Sequence, residues 1–329
     1  MPASSDVTLR FLASPTDVAS IGGKVHAGKV LEWIDKAGYA CAVGWSQSYC
    51  VTAYVGSVSF VAPIESGNLV EVHAKLVYTG TSSMHIRVNV SSADPRVGRY
   101  VTSTDCVIIF VAVGPDARPT PVPPWAPESE SDAALHTDAV HRIDVRAAIA
   151  EAMKGQIYSD DGTAERITLR FFAAPTDVNW GGKTHGGTVM RWIDEATLAC
   201  ASTWSGLDAI TVYSGGIRFY RPIPIGHLVE VEARLVHTGH SAMHISTHVR
   251  SRDPRERELQ LTTHCLTIVA GLDGEGHTTA VPPWQPVTDE DRRLDAHARH
   301  LSHLRQGSTH LPPLVHAEAS AVAGLLARR

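Results

Sequence analysis

The chain has 329 residues, more than one core usually organises and a natural length for two domains of roughly 100 to 150 residues. With 29 basic and 34 acidic side chains and a formal charge of −5, it has no basic excess to recruit nucleic acid. No run of about 18 apolar residues could span a bilayer, and Met1-Pro-Ala-Ser-Ser-Asp6 lacks the basic start and apolar core of a signal peptide, so a cytoplasmic protein is expected.

Residues 6–13 alternate like a strand and lead into the turn Ser14-Pro-Thr-Asp-Val18. A glycine-bearing loop, Ala19-Ser-Ile-Gly-Gly-Lys-Val25, precedes a helix beginning at His26. In that helix Val30, Leu31, Ile34, Gly38, Cys41 and Trp45 recur at spacings of three and four, the stripe of a buried helix. Asp35 breaks the stripe: four residues after Leu31 and three before Gly38, it shares their face and is expected to point inward. A buried carboxylate is costly unless hydrogen bonded, so Asp35 marks either a structural bond to backbone or a reactive site.

Strand-like runs follow at Tyr49–Val61, Leu69–Thr79, Met84–Ser91 and Tyr100–Val113, with turns at Gly67 and at Gly80-Thr-Ser-Ser83. Met84, Ile86, Val88 and Val90 alternate with His85, Arg87, Asn89 and Ser91, the pattern of an antiparallel sheet buried on one face. One helix followed by adjacent strands predicts an α+β domain with the helix packed on the sheet. The domain closes at Val122-Pro-Pro-Trp125, and a polar linker over 126–165 contains a predicted helix from about Asp132 to Met153.

The whole pattern then returns. Asp35 and Asp194, Pro63 and Pro222, Cys106 and Cys265, and Trp125 and Trp284 each stand 159 residues apart, which means tandem duplication of a domain. The second helix reads His185-Gly-Gly-Thr-Val-Met-Arg-Trp-Ile-Asp194, placing Asp194 inward between Met190 and Thr197. Two acids at matching places favour a site over a chance structural bond. The domains are thus 1–125 and 166–284, with a predicted second polar helix over Asp289–Leu304 and a tail holding a weak helical pattern at Ala317–Leu326.

Five cysteines without close pairs read as reduced thiols filling cores. The 18 histidines form no compact cluster with ligand spacing, so no metal is expected.

The stretch Pro175-Thr-Asp-Val-Asn179-Trp-Gly-Gly-Lys-Thr-His185-Gly-Gly-Thr-Val-Met-Arg-Trp-Ile-Asp194-Glu-Ala resembles the hotdog-fold acyl-CoA thioesterases, most closely their tandem, double-hotdog members. The resemblance covers residues 6–125 and 166–284 and includes Thr79-Gly-Thr-Ser-Ser-Met-His-Ile86. It implies two tandem hotdog domains, each a long helix wrapped by a curved antiparallel sheet, with the two helices antiparallel. It also implies hydrolysis of acyl-CoA to free CoA and a carboxylic acid, with CoA entering only as part of the substrate and no other cofactor. Further association of such double domains into trimers is what the family suggests.

Residue by residue, Asn179 matches the family amide, and Asp35 and Asp194 match the two acids. The resemblance gives the Gly187 N–H at the helix start the task of stabilising the oxyanion. Repeat one departs from the pattern, with Ala19 and Ser20 in the place of Asn179 and His26-Ala27-Gly28 in the place of His185-Gly186-Gly187. A single complete site is therefore expected, joining Asp35 to Asn179 and Gly187 across the repeats, with Asp194 opposite lacking the amide. Thr81, Ser82, Ser83 and Arg87 are candidate contacts for the CoA phosphates. Two other readings fit the same resemblance: a silent acyl-CoA-binding or sensor protein, and an enoyl-CoA hydratase of the same fold.

Overall fold

The computed structural model describes residues 4–18, 23–154 and 156–306. Ala19, Ser20 and the Ala317–Leu326 pattern lie outside the described residues. Each repeat wraps one 20-residue helix, α1 (Ala27–Ser46) and α3 (Gly186–Ser205), in antiparallel strands. The helices end where the chain turns left-handed, at Gln47 with φ 54° and at Gly206 with φ 66°.

Repeat one contributes β1 (Asp6–Leu12), β2 (Tyr49–Val55), β3 (Val58–Phe60), β4 (Leu69–Thr79), β5 (Ser83–Ala93) and β6 (Val101–Val113). Repeat two contributes β7 (Arg166–Phe172), β8 (Asp208–Phe219), β9 (Leu228–Thr238), β10 (Ala242–Arg252) and β11 (Gln260–Leu272). All pair into one 11-stranded sheet in the order β1-β4-β5-β6-β2-β8-β11-β10-β9-β7, so the repeats join where β2 meets β8. The short β3 straddles that joint, pairing with both β6 and β8. The expected strand Tyr49–Val61 is therefore broken in two. Gly56 turns its N–H to Val107 O at 2.9 Å, and the chain re-enters the sheet at Val58.

Inside the curved sheet, the helix stripe packs as its spacing requires: Val30, Leu31, Ile34 and Cys41 of α1 are buried against Val72, Leu76, Ile86 and Ile108 in one core that also includes α3. Gly38 is small for a reason, since an added Cβ would lie 2.7 Å from the Phe110 ring. Burying a Leu or Ile side chain in such a core contributes about 1.5–3 kcal/mol.

The outer face of β5 was expected to meet water, yet His85 and Arg87 are buried. The linker helix α2 (Glu130–Lys154) lies over it, with Ala139 and Ile149 against the sheet and Asp132 paired to Lys75 at 2.6 Å. In repeat two, α4 (Asp289–Gln306) buries Leu294, Ala298 and Leu301 in the same way, and its Glu290 accepts from Arg234 at 3.0 Å. All five cysteines are buried, and none of them forms a disulfide.

Candidate functional site

The two helices meet at their N-terminal halves in antiparallel fashion, and glycine sets how closely. A Cβ on Gly28 would sit 2.8 Å from Arg191 Cα, and a Cβ on Gly187 would sit 2.8 Å from Glu32 Cα. Each helix start therefore reaches the acid of the opposite repeat. Gly187 N donates to Asp35 Oδ2 at 2.8 Å, and Gly28 N donates to Asp194 Oδ2 at 2.8 Å. Helix-start N–H groups lack acceptors within the helix, and a carboxylate there satisfies one while meeting the positive end of the helix dipole.

A second donor to each acid comes from the strand after its own helix: Thr52 Oγ1 to Asp35 Oδ1 at 2.6 Å, and Thr211 Oγ1 to Asp194 Oδ1 at 2.6 Å. The sequence reading missed both threonines. The signal was available, since each stands 17 residues after its acid in both repeats, but an isolated threonine on a strand carries no motif of its own.

The two acids differ in a third contact. His185 Nδ1 lies 2.6 Å from Asp35 Oδ2 and also 3.3 Å from Gly187 N. One nitrogen cannot donate to the carboxylate and accept from the amide together. The shorter contact favours a proton on Nδ1, because a lone pair at that distance would repel the carboxylate, and the Gly187 N–H already has Asp35. Burial pulls the His185 pKa down, but the hydrogen bond to Asp35 and that residue's charge outweigh it and leave the value raised. In the other half, the matching His26 Nδ1 is buried without a hydrogen-bond partner among the described residues. Burial holds the Asp194 carboxyl above its usual range, against the hydrogen bonds from Thr211 and Gly28.

A cleft of about 760 Å³ opens over the helix starts, lined from both repeats by His26, Lys36, Asn179, Trp180, His185 and Asp194 among others. Asp35 itself is 1% exposed and lies behind His185, which is part of the wall. Asn179 uses its Oδ1 to shape the loop, accepting from Gly181 N at 2.9 Å and Lys183 N at 3.0 Å, and its amide NH₂ faces the Tyr49 hydroxyl. That loop presses on repeat one: a Cβ on Gly181 would collide with Tyr49, and Trp180 stacks on Tyr39 at 4.5 Å and 7°. Burial raises the Tyr49 pKa, against a hydrogen bond from the Asn179 side chain that lowers it.

Across the cleft floor, Arg191 Nε meets Glu32 Oε1 at 2.9 Å. These two residues occupy the same position of the two repeats, so the pair lies on the pseudo-twofold axis.

Asp35, Asn179 and Gly187 are thus gathered at one junction, with Asp194 at its symmetric counterpart. Gly187, expected to face an oxyanion, holds the Asp35 carboxylate instead. Thr81, Ser82, Ser83 and Arg87 do not line the cleft. Arg87 is buried, and its Nε and Nη2 donate to both Asp105 oxygens at 2.8–3.0 Å. The Thr81 carbonyl accepts from Val122, docking the segment that closes the domain, and the Ser82 carbonyl accepts from Ala112 of β6. Among the described residues no group of His, Cys, Asp or Glu could hold a metal ion.

The sequence pattern of the thioesterase superfamily matches residues 22–99 and 181–258. A human cytosolic acyl coenzyme A thioester hydrolase is 22% identical over 95% of this chain and 87% of its own length. The acyl-CoA thioester hydrolase YciA of Salmonella typhimurium is 31% identical over 36% of this chain and 90% of its own. A crystal structure described as an oleoyl thioesterase of Lactobacillus plantarum, 9% identical, superposes with a TM-score of 0.58 over 82% of this chain and 97% of that one, which shows a common fold. The duplicated helix, sheet and acid site and these likenesses together make the chain a tandem, double-hotdog member of the thioesterase superfamily.

Proposed function

We propose that the protein hydrolyses the thioester of acyl-CoA, giving free CoA and a carboxylic acid, at a composite site between its repeats. The observation that carries this reading is the Asp35 carboxylate of repeat one, held by Gly187 N at 2.8 Å and His185 Nδ1 at 2.6 Å of repeat two. Attack of water on a thioester carbonyl needs a base, donors for the developing oxyanion and a fixed approach. Asp35 supplies the negative charge. In this reading Asn179, which lines the cleft, orients water or substrate, and the α3 first-turn N–H groups other than that of Gly187 are the donors that face no helical acceptor. No metal or further cofactor enters this chemistry. Acyl-CoA as the substrate class is supported by the names of the relatives.

The test is release of free thiol from short, medium, long and aryl acyl-CoAs, with chelator present. Asp35→Asn is expected to lower turnover about 10²–10⁴-fold, the usual loss on removing positioned acid–base machinery. An unchanged rate in D35N would place the chemistry elsewhere.

The double domain is further proposed to assemble, as trimers of the chain. The sheet ends in β1 and β7, whose outer edges are unpaired within the described residues, and Leu12 and Phe172 at their ends are 64% and 60% exposed. Light scattering gives the mass directly. A cytoplasmic location is proposed from the human relative's cytosolic description, and no helix among the described residues is long and apolar enough to cross a membrane.

A further inference from the structure

A second cavity lies under the linker helix, on the face of the sheet turned away from α1. It encloses about 50 Å³, with Tyr54, Ser57, His85, Arg142 and Arg146 in its wall, which is room for a few waters or for one small anion. We propose that this cavity binds one phosphate group, held by Arg146 of α2, His85 of β5 and the Ser57 hydroxyl at the seam of the repeats.

Three observations carry the site. Arg146 is half-buried, yet it has no hydrogen bond and no ion pair among the described residues, and its guanidinium lies over the Tyr54 ring, 5.5 Å from the centroid. Burial, with repulsion from Arg218, pulls its pKa below the ordinary value, and no carboxylate opposes that shift. A cation withdrawn from water without a counter-ion is costly, and an anion in the cavity removes that cost. His85 is 3% exposed, and its Nδ1 has no hydrogen-bond partner among the described residues. Burial and the charge of Arg146 push its pKa down to about 3, so the ring is neutral and has one N–H to donate.

The third observation is the other repeat. His85 and Tyr78 match His244 and His237, each 159 residues on, and His136 of α2 matches Asp295 of α4. There the chain supplies its own anion: Asp295 Oδ1 meets His237 Nδ1 at 2.6 Å, and the His237 ring packs on that of His244. In repeat one the Tyr78 ring packs on both His85 and His136, and neither Tyr78 nor His136 brings a negative charge. The missing charge therefore falls to a ligand.

The surrounding cations select phosphate. Arg142 is matched by Asp138 at 2.8 Å, but Arg146 is not matched. Arg218, near enough to repel Arg146, has its guanidinium over the Tyr220 ring and no ion pair among the described residues. Two uncompensated guanidinium groups suit a dianion better than a singly charged carboxylate. The Ser57 hydroxyl, 2.8 Å from that of Tyr213, can accept from it and donate its own proton inward. A phosphate so held ties the linker helix to the strands at the seam. Free phosphate and the terminal phosphate of a larger metabolite share this chemistry.

The site is tested by calorimetric titration and thermal melts of the full chain with inorganic phosphate, at constant ionic strength in chloride. One phosphate per chain is expected, with a rise in melting temperature, and Arg146→Met should weaken binding at least about tenfold. Glycerol phosphate in a parallel titration separates the sources. Binding as tight as that of inorganic phosphate assigns the site to the phosphate end of a larger ligand, and loss of binding assigns it to the free ion. Crystals grown with tungstate, a strongly scattering phosphate mimic, locate the anion without any variant, and density between Arg146 and His85 is expected. No saturable phosphate binding, binding unchanged in R146M, or tungstate confined to other surfaces would each overturn the proposal. Acetate stabilising the chain as much as phosphate would overturn the choice of phosphate and point to a carboxylate of a neighbouring molecule.

Discussion

Asp35 and Asp194 began as equivalent residues and now sit in different electrostatic settings. Asp194 is almost fully buried and its carboxyl is held above the usual 3.8, chiefly by desolvation. The sign follows from linkage: a raised acid binds its proton more tightly folded than unfolded. Stability therefore falls as pH rises from the unfolded value through the folded one. Asp194→Asn removes that titration, so the variant's melting temperature should decline less than the wild type's as pH is raised from 4 through the acid range. Parallel melting curves for the two proteins would contradict it. In turnover D194N is expected to lose far less than D35N, because the opposite half lacks the histidine contact. The inward direction of the two acids was legible in sequence, since spacing puts Asp35 on the stripe with Leu31 and Gly38, whereas Asn179 and the Gly187 helix start entered only through the family resemblance. The histidine and threonine partners were not legible. Their roles depend on a helix from one repeat meeting a strand and loop of the other, and periodicity within one repeat says nothing of that approach.

Among the elements, helices α1 and α3 were the most readable and the strands on the outer face the least. The alternation in β5 expected a wet face for His85 and Arg87, but α2 covers it, a tertiary event that a local pattern cannot announce. The helix pair also carries a charge code. Arg191 meets Glu32 at 2.9 Å and Glu195 at 2.7 Å, while Lys29 meets Glu32 at 3.2 Å. Glu32→Arg sets two guanidinium groups against each other on the axis and is expected to cost about 1–3 kcal/mol, with activity falling as the helix starts move apart. The exchange E32R/R191E restores opposite charges and should recover most of the loss. Equal losses in the single and double variants, read by thermal melts, would mean that the pair contributes nothing beyond local packing.

For the molecule as a whole, the composite site makes the two domains one catalytic unit. Residues 1–130 alone contain Asp35 and Thr52 but neither Asn179 nor His185 nor Gly187, so the fragment is expected to show no thiol release above background. Robust turnover by it would overturn the shared site. The duplication was plain in the constant spacing of Asp, Pro, Cys and Trp, and the single continuous sheet follows from β2 meeting β8 at the seam. The Glu32–Arg191 pair also bears on the history of the chain. Before the copies diverged, the axis placed one residue against its own duplicate. Once one copy held glutamate and the other arginine, self-association of either half became repulsive while the mixed pair became attractive. From then on the repeats were no longer spare copies of each other, and the loss of either would strand its sister without a mate. Symmetry broken at one position thus works as a ratchet, turning a gene duplication that could once be undone into a permanent partnership.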